Sequence, residues 1–181
     1  VEAILKDKKL DFTVDTTYQR RLSPSQFYEK NDKPILVVNT TFFSFTTNQN
    51  LNVVIKDNKL LGYNIHTING RGKDTIGISK KREADVAWLY TDSTKRFSYA
   101  LQLPNLAIKD SMISLDFKSA DYLTSIVSHQ RVSSSLSKWK MQTAVGGGPV
   151  LIQNGEIKIT NNEELKFAGK AIDDKHPRTA M

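Results

Sequence analysis

The sequence contains no cysteine, which removes several kinds of chemistry at the outset. Without a thiol there is no disulfide framework, no cysteine nucleophile and no cysteine-based zinc site. No stretch approaches the roughly 18 consecutive apolar residues of a membrane-spanning helix. Runs of five or six like charges are also missing, although basic residues outnumber acidic residues by 26 to 19. These absences leave a cysteine-free domain without a membrane span.

The net charge of +7 favours an anionic partner, such as a phosphate or an acidic glycan. The basic residues are scattered in small groups and do not alternate with aromatic residues, so we expect no nucleic-acid partner. The length of 181 residues suits one domain, and we find no repeat period or long linker. The composition suits an exported protein of bacterial type, so we expect an extracellular, periplasmic or cell-surface location.

Short apolar runs separated by turn residues predict a chain dominated by strands. Residues 57–58 (Asp-Asn) and residues 154–155 (Asn-Gly) each separate two such runs, and both pairs predict a hairpin. Residues 35–38 are a β-branched run between polar residues, which predicts a buried strand. The fold class that follows is α+β, with a strand-dominated mixed sheet and a few short helices.

Helices are predicted at few places. Ser23 before Pro24 is typical of a helix start, with serine as the cap and proline in the first turn, and this helix should end near Asn31. Residues 120–128 slightly favour a short helix, residues 133–137 are serine-rich and predict a loop, and residues 1–17 predict one or two strands.

The first motif with possible chemistry is Asn39-Thr40-Thr41-Phe42-Phe43, just after the predicted strand of residues 35–38. The Asn39 amide can donate and accept hydrogen bonds, which suits a sugar hydroxyl or a phosphate oxygen. Phe43 and its neighbour Phe42 could pack under a sugar ring. The residues alone leave open the alternative of a turn asparagine followed by core phenylalanines.

The second motif is the triplet Gly146, Gly147 and Gly148, followed by Pro149. Three glycines pack no side chain, so we expect them where the backbone turns sharply or approaches another group closely. Their N–H groups could form an anion-binding nest, although no Gly-Lys-Ser/Thr of a nucleotide-binding loop follows. The alternative is a tight turn between two strands.

The third motif is His176-Pro177-Arg178-Thr179. Proline restricts the backbone and biases His176 toward an extended conformation, which could point His176 and Arg178 to the same side. Arginine offers a planar fork for phosphate, and histidine can transfer protons near neutral pH. A surface loop without chemistry is the alternative.

In this order the three motifs resemble the phosphodiester glycosidase family, which includes the mannose 6-phosphate uncovering enzyme. Members carry a strand that ends in asparagine, two small residues and paired aromatics. They then carry Gly-Gly-Gly-Pro-x-Leu/Ile-x-x-x-Gly, matched by residues 146–155, and His-Pro-Arg-Thr-Ala-x-Gly, matched by residues 176–181 up to the last glycine. Thr40 and Thr41 stand where members usually have glycine or alanine. The resemblance begins at about residue 36.

The resemblance implies a single domain over residues 1–181, of which residues 1–35 are not covered. Members continue through a glycine, further strands and a helix to an Asn-Leu-Asp-Gly-Gly-Gly-Ser-Ser stretch. We therefore expect this sequence to be the N-terminal part of the domain, incomplete at its C-terminus. The remaining C-terminal part would be its partner within the same protein.

The activity that the resemblance implies is hydrolysis of a sugar-1-phosphodiester bond in a glycan or exopolysaccharide. Arg178 would hold the phosphate, and His176 would protonate the leaving oxygen or orient Arg178. Asn39, Phe43 and the backbone of Gly146, Gly147 and Gly148 would bind the substrate, a sugar phosphate or anionic glycan.

Two questions stay open at the level of sequence. A glycosidase needs a carboxylate, but no spacing selects one among Asp85, Asp116, Asp121, Asp173 and Asp174. No cofactor is indicated, and a divalent metal is left open. The alternative function is a non-catalytic module that binds anionic glycan or cell-wall polymer through the same basic residues.

Overall fold

A computed structural model describes residues 2–16, 20–64, 73–92, 97–102, 113–115, 122–127, 130–135, 137–164, 167–175 and 179–181. Within these ranges the chain forms three short helices and twelve strands. The helices are α1 (Pro24–Lys30), α2 (Asn161–Glu164) and α3 (Lys170–Asp173). The strands are β1 (Val54–Lys56), β2 (Lys59–Gly62), β3 (Lys73–Ile78), β4 (Ala84–Asp92), β5 (Phe97–Leu101), β6 (Ile113–Leu115), β7 (Tyr122–Val127), β8 (Gln130–Ser135), β9 (Ser137–Lys138), β10 (Thr143–Gly146), β11 (Ile152–Gln153) and β12 (Glu156–Ile157).

Across the described part of the chain, seven of these strands form one sheet in the order β2-β1-β10-β3-β4-β5-β9. The strands β6, β7 and β8 form a second sheet, and β11 and β12 form a two-stranded hairpin. Every pairing between these strands is antiparallel. The strand-dominated α+β class predicted from the sequence is confirmed, but among the described strands the sheets are antiparallel and not mixed. The position of β10 between β1 and β3 is decisive for the site, because its last residue is Gly146.

Both predicted hairpins are confirmed, and their turns show why these residues were informative. Asp57 and Asn58 join β1 to β2 with φ of 50° and 58°, and Asn154 and Gly155 join β11 to β12 with φ of 55° and 81°. Two consecutive residues with positive φ are typical of the tight turn whose twist matches antiparallel strands. Asparagine, aspartate and glycine adopt this conformation at the lowest cost.

The main core lies on one face of the seven-stranded sheet. Its buried members come from β1, β4, β5, β10 and the segment after β9, and they are Val53, Ile55, Ala87, Leu89, Ala100, Trp139, Met141 and Ala144. Successive strand residues point to opposite faces, so Asp74 and Trp88, paired across β3 and β4, lie on the other face from Ala87 and Leu89. That second face is also buried at Val54, Trp88 and Leu101. A carboxylate is therefore enclosed on a face that also buries large apolar side chains.

The helix predicted after Ser23 is confirmed as α1. The Ser23 side chain accepts from the backbone N–H of Gln26, and the Gln26 side chain accepts from the backbone N–H of Ser23. This reciprocal capping box satisfies two N–H groups that a helix start otherwise leaves open. The helix ends with Asn31 as its C-cap, as expected.

The strands predicted within residues 1–17 are wrong for the described residues 2–16, which form turns and chain without regular secondary structure. Polar contacts hold this segment to the sheet. Arg82 donates to the backbone carbonyls of Leu5, Asp7 and Leu10, and the Thr143 hydroxyl donates to a further carbonyl in the segment. This N-terminal arm (residues 2–16) is thus attached by Arg82, in the turn between β3 and β4, and by Thr143 of β10, and not by strand pairing.

Three other local predictions are corrected. Residues 35–38 form no strand, and Ile35 is 91% exposed. The helix favoured for residues 120–128 is strand β7 at its described positions, and the serine-rich loop of residues 133–137 belongs to β8 and β9 where it is described. Strand formation depends on a partner elsewhere in the chain, and a local pattern does not contain that information. Among the described residues, no helix has the length and apolar character needed to cross a membrane.

Candidate functional site

The first motif forms an irregular loop before β1. The backbone N–H of Leu51 donates to the carbonyl of Phe42 at 2.9 Å, and the backbone N–H of Ser44 donates to the backbone carbonyl of Gln49 at 2.9 Å. Phe43 and Asn50 form an isolated antiparallel bridge. Residues 42–51 therefore fold back on themselves, and Asn39 and Thr40 lie directly before this closed loop.

Asn52 connects the loop to the glycine strand. Its side chain is 1% exposed, and its Oδ1 accepts from the backbone N–H of Phe42 at 3.1 Å. A Cβ built on Gly146 would lie only 2.8 Å from the Asn52 Cβ, so glycine is required for this close approach. The Asn52 Nδ2 group is buried and has no hydrogen-bond acceptor among the described residues. Sequence reasoning missed Asn52, whose only local signal is a polar residue before an apolar run.

The glycine motif is the end of β10 and the turn that follows it. The N–H of Gly146 donates to Val53 O at 2.8 Å, and the N–H of Gly147 donates to Asp74 O at 3.2 Å. Since these two N–H groups already bond to backbone carbonyls, they are not available for an anion-binding nest. The substrate-binding role of the glycines stays a prediction. Gly148 has a φ of 104°, which side chains rarely adopt, and a cis peptide bond joins it to Pro149.

A buried carboxylate lies directly under the glycine turn. Asp74 is 4% exposed, and a Cβ on Gly148 would come closer than 3.0 Å to both of its carboxylate oxygens. Position 148 therefore accepts only glycine, because its φ is positive and because any side chain would collide with the Asp74 carboxylate. A carboxylate at this place also opposes the binding of a second anion to the turn. Sequence reasoning did not single out Asp74, since an aspartate at a strand start carries no distinctive spacing.

The three motifs meet although they are far apart in the sequence. The Thr179 hydroxyl donates to Asn39 Oδ1 at 3.0 Å, which joins positions 140 residues apart. The carbonyl of Thr40 lies 3.6 Å from where a Cβ on Gly147 would be. His176, Pro177 and Arg178, including both predicted catalytic residues, lie outside the described residues. Thr179 follows Arg178 in the chain, so the contact to Asn39 brings the described end of the third motif to the first.

Phe43 and Phe42 have different surroundings. The Phe43 ring lies 4.8 Å from the Phe45 ring, and the guanidinium carbon of Arg21 lies 5.6 Å and 5.4 Å from the two ring centroids. Such cation–π contacts are favourable at the surface. Phe42 instead makes an edge contact with Phe167, with centroids 6.3 Å apart. The predicted substrate role of Phe43 stays a prediction, and Arg21 is a neighbour that the sequence did not reveal.

The acidic residues left open by the sequence have distinct environments. The Asp85 carboxylate accepts from Trp139 Nε1 at 2.7 Å and from Gln102 Nε2 at 3.1 Å, which is a structural role between β4 and the core. Asp173 and Asp174 are exposed at the end of α3. Asp116 and Asp121 lie outside the described residues. Among the described residues, no group of three or more histidine and acidic side chains is arranged to hold a metal ion.

Comparison with known proteins identifies a family for this chain. The family model described as phosphodiester glycosidase matches residues 32–181, which is most of the chain and includes all three motifs. The chain therefore belongs to the phosphodiester glycosidase family. No curated protein and no solved structure gives a significant match to the chain.

Proposed function

We propose that this chain contributes the site of an exported glycosidase that hydrolyses a sugar-1-phosphodiester bond in a glycan or exopolysaccharide. Its family membership supports the general activity. The observation that carries the proposal is the 3.0 Å hydrogen bond from Thr179 to Asn39, together with the approach of Thr40 to Gly147. Described residues of all three motifs thus lie in one region, which supports the proposal. In this proposal residues 1–181 belong to a single domain.

In this site Arg178 is the phosphate-binding residue and His176 protonates the leaving oxygen or orients Arg178. Asn39 accepts from Thr179 through its Oδ1, so its Nδ2 group is the part of the amide suited to donate to a sugar or phosphate oxygen. The glycine backbone forms the floor, and Phe43 offers an aromatic face to the sugar. The expected binding partner is a sugar phosphate or anionic glycan.

The test uses a panel of methyl phosphodiesters of sugar 1-phosphates, incubated with the full-length protein in ¹⁸O-labelled water. We expect release of free sugar and methyl phosphate, with the label in the sugar, because the bond that breaks joins the anomeric carbon to oxygen. Label in the phosphate would instead indicate a phosphodiesterase. Binding of the phosphodiesters without turnover would favour the non-catalytic glycan-binding module.

Arg178→Ala tests the phosphate role. Removal of one charged donor from a site that stabilises developing negative charge lowers turnover by about 10²–10³-fold. Lys175→Ala is the matched control, since Lys175 is an exposed cation three residues away. Equal effects of the two substitutions would reduce the role of Arg178 to general attraction, which added salt would weaken.

A further inference from the structure

We infer that Asp74 supplies the catalytic carboxylate of this site, an inference that rests on the proposed glycosidase function. Cleavage at an anomeric carbon passes through an oxocarbenium-like state, which requires a carboxylate close to that carbon. The sequence left this group unassigned among five other aspartates. The structure offers a sixth that contacts one of the predicted site motifs directly.

Asp74 is held against the glycine motif by both its backbone and its side chain. The Asp74 carbonyl accepts from the Gly147 N–H at 3.2 Å, and its carboxylate occupies the space that a side chain on Gly148 would need. Gly148 thus has a specific reason in the structure, which is to leave room for this carboxylate. The same turn lies against Thr40 of the first motif.

Burial distinguishes Asp74 from the other described candidates. Asp74 is 4% exposed, so its carboxylate has lost most of its hydration. Asp85 is bound by Trp139 and Gln102, and it lies opposite Gly77 across β3 and β4, away from the motifs. Asp173 and Asp174 remain in water. A low-dielectric position next to the motifs is where a negative charge best stabilises an oxocarbenium-like centre.

Asn52 gives independent support for a ligand at this place. Its Nδ2 group is buried beside Gly146 without a described acceptor, and such groups usually have a partner. A sugar hydroxyl or ring oxygen is an acceptor of the right kind. A buried donor from the segment before β1 and a buried carboxylate from β3 thus flank the same glycine segment.

The step that Asp74 would perform is water activation. The water oxygen bonds to the anomeric carbon while the bond from that carbon to the phosphate oxygen breaks, and its electron pair leaves with the phosphate. The Asp74 carboxylate accepts one proton from the attacking water and later releases it to solvent. The products are the free sugar and a phosphate monoester, so atoms and charge balance without a further reactant.

Asp74→Asn keeps the shape of the side chain and removes the base. We expect kcat to fall by about 10²–10⁴-fold, the usual contribution of a general base, while KM stays within about threefold. Asp85→Asn is the matched control, because Asp85 is an acidic residue on the adjacent strand β4 that bonds to the core residue Trp139. This control should lower thermal stability and leave kcat within about threefold.

Chemical rescue separates catalysis from folding. Asp74→Ala opens space under Gly148, and added formate should restore at least about tenfold of the lost turnover if the carboxylate acts in the reaction. The inference is overturned if Asp74→Asn retains wild-type kcat, if formate rescues nothing, or if both variants lose the wild-type circular dichroism spectrum. An inactive wild-type protein would instead count against the proposed function itself, and the inference would fall with it.

Discussion

Residues 35–38 and residues 53–55 are both short apolar runs rich in β-branched side chains, yet they have opposite environments. Residue 53 directly precedes β1, and residues 54 and 55 belong to it. This strand has β2 on one side and β10 on the other, and all three side chains are buried. Residues 35–38 form no strand pairing within the described part of the chain, and Ile35, Leu36 and Val38 are exposed. Composition alone does not separate the two runs.

The difference shows that a strand becomes part of a core through its neighbours. A paired backbone satisfies its N–H and C=O groups, and only then can side chains leave water without leaving polar groups behind. The partner of β1 is β10, about 90 residues further along the chain, and the register Val54–Val145 aligns two apolar residues. No pattern within residues 53–55 specifies that partner.

The largest expected effect comes from shortening one isoleucine in each run. Ile55→Ala should lower the free energy of unfolding by about 2–5 kcal/mol, because it creates a cavity in the core. Ile35→Ala should change it by less than about 0.5 kcal/mol, since the side chain is exposed. Urea unfolding of both variants measures the difference. Similar losses in the two variants would mean that residues 35–38 are buried in the protein in solution.

A pair of glycines gives the same contrast between a crowded and an open environment, here for the backbone instead of an apolar side chain. Gly148→Ala should destabilise the protein by about 2–4 kcal/mol, because the new methyl group displaces the Asp74 carboxylate and φ is positive.

Gly155→Ala is the control, because its φ is also positive but nothing lies within 4 Å of the added atom. This substitution should lower the free energy of unfolding by about 1–2 kcal/mol, which is the effect of backbone strain alone. Thermal unfolding of the two variants gives the values. Equal effects would remove the case for a tight contact between Gly148 and Asp74.

The smallest effect concerns the N-terminal arm, which polar contacts hold in place. Burial alone would raise the pKa of Asp15, but hydrogen bonds from the Lys30 ammonium and the Thr16 N–H, with the charges of Lys30 and Lys56, leave this pKa below its usual value of 3.8. A lowered pKa in the folded state stabilises the protein above pH 3.8, and this stabilisation is lost as the pH falls through the folded-state pKa.

Asp15→Asn should therefore lower stability by less than about 1 kcal/mol at pH 7 and have almost no effect near pH 2. Glu29→Gln is the comparison, since its contact with Lys33 is an exposed i,i+4 pair. Melting temperatures of the two variants, compared with the unsubstituted protein at pH 7 and near pH 2, measure both effects. A deficit in Asp15→Asn that persists unchanged at pH 2 would show that the ion pair is not its cause.

Predictions from the sequence succeeded where the signal was local. The start of α1 at Ser23 and the turns at residues 57–58 and 154–155 were correct, because capping and positive φ depend on the residues themselves. The strand at residues 35–38 and the helix at residues 120–128 were wrong, because a distant partner decides whether a short apolar run pairs.

The sequence by itself determined the family, the three motifs and their order, since these depend only on residue identity and spacing. The tertiary structure alone decided that Thr179 meets Asn39 and that Asp74 lies beneath Gly148. The second contact depends on the insertion of β10 between β1 and β3, which brings the Gly147 N–H to the Asp74 carbonyl. Contacts between residues far apart in the chain follow from strand order and register, and neither is encoded in a local pattern.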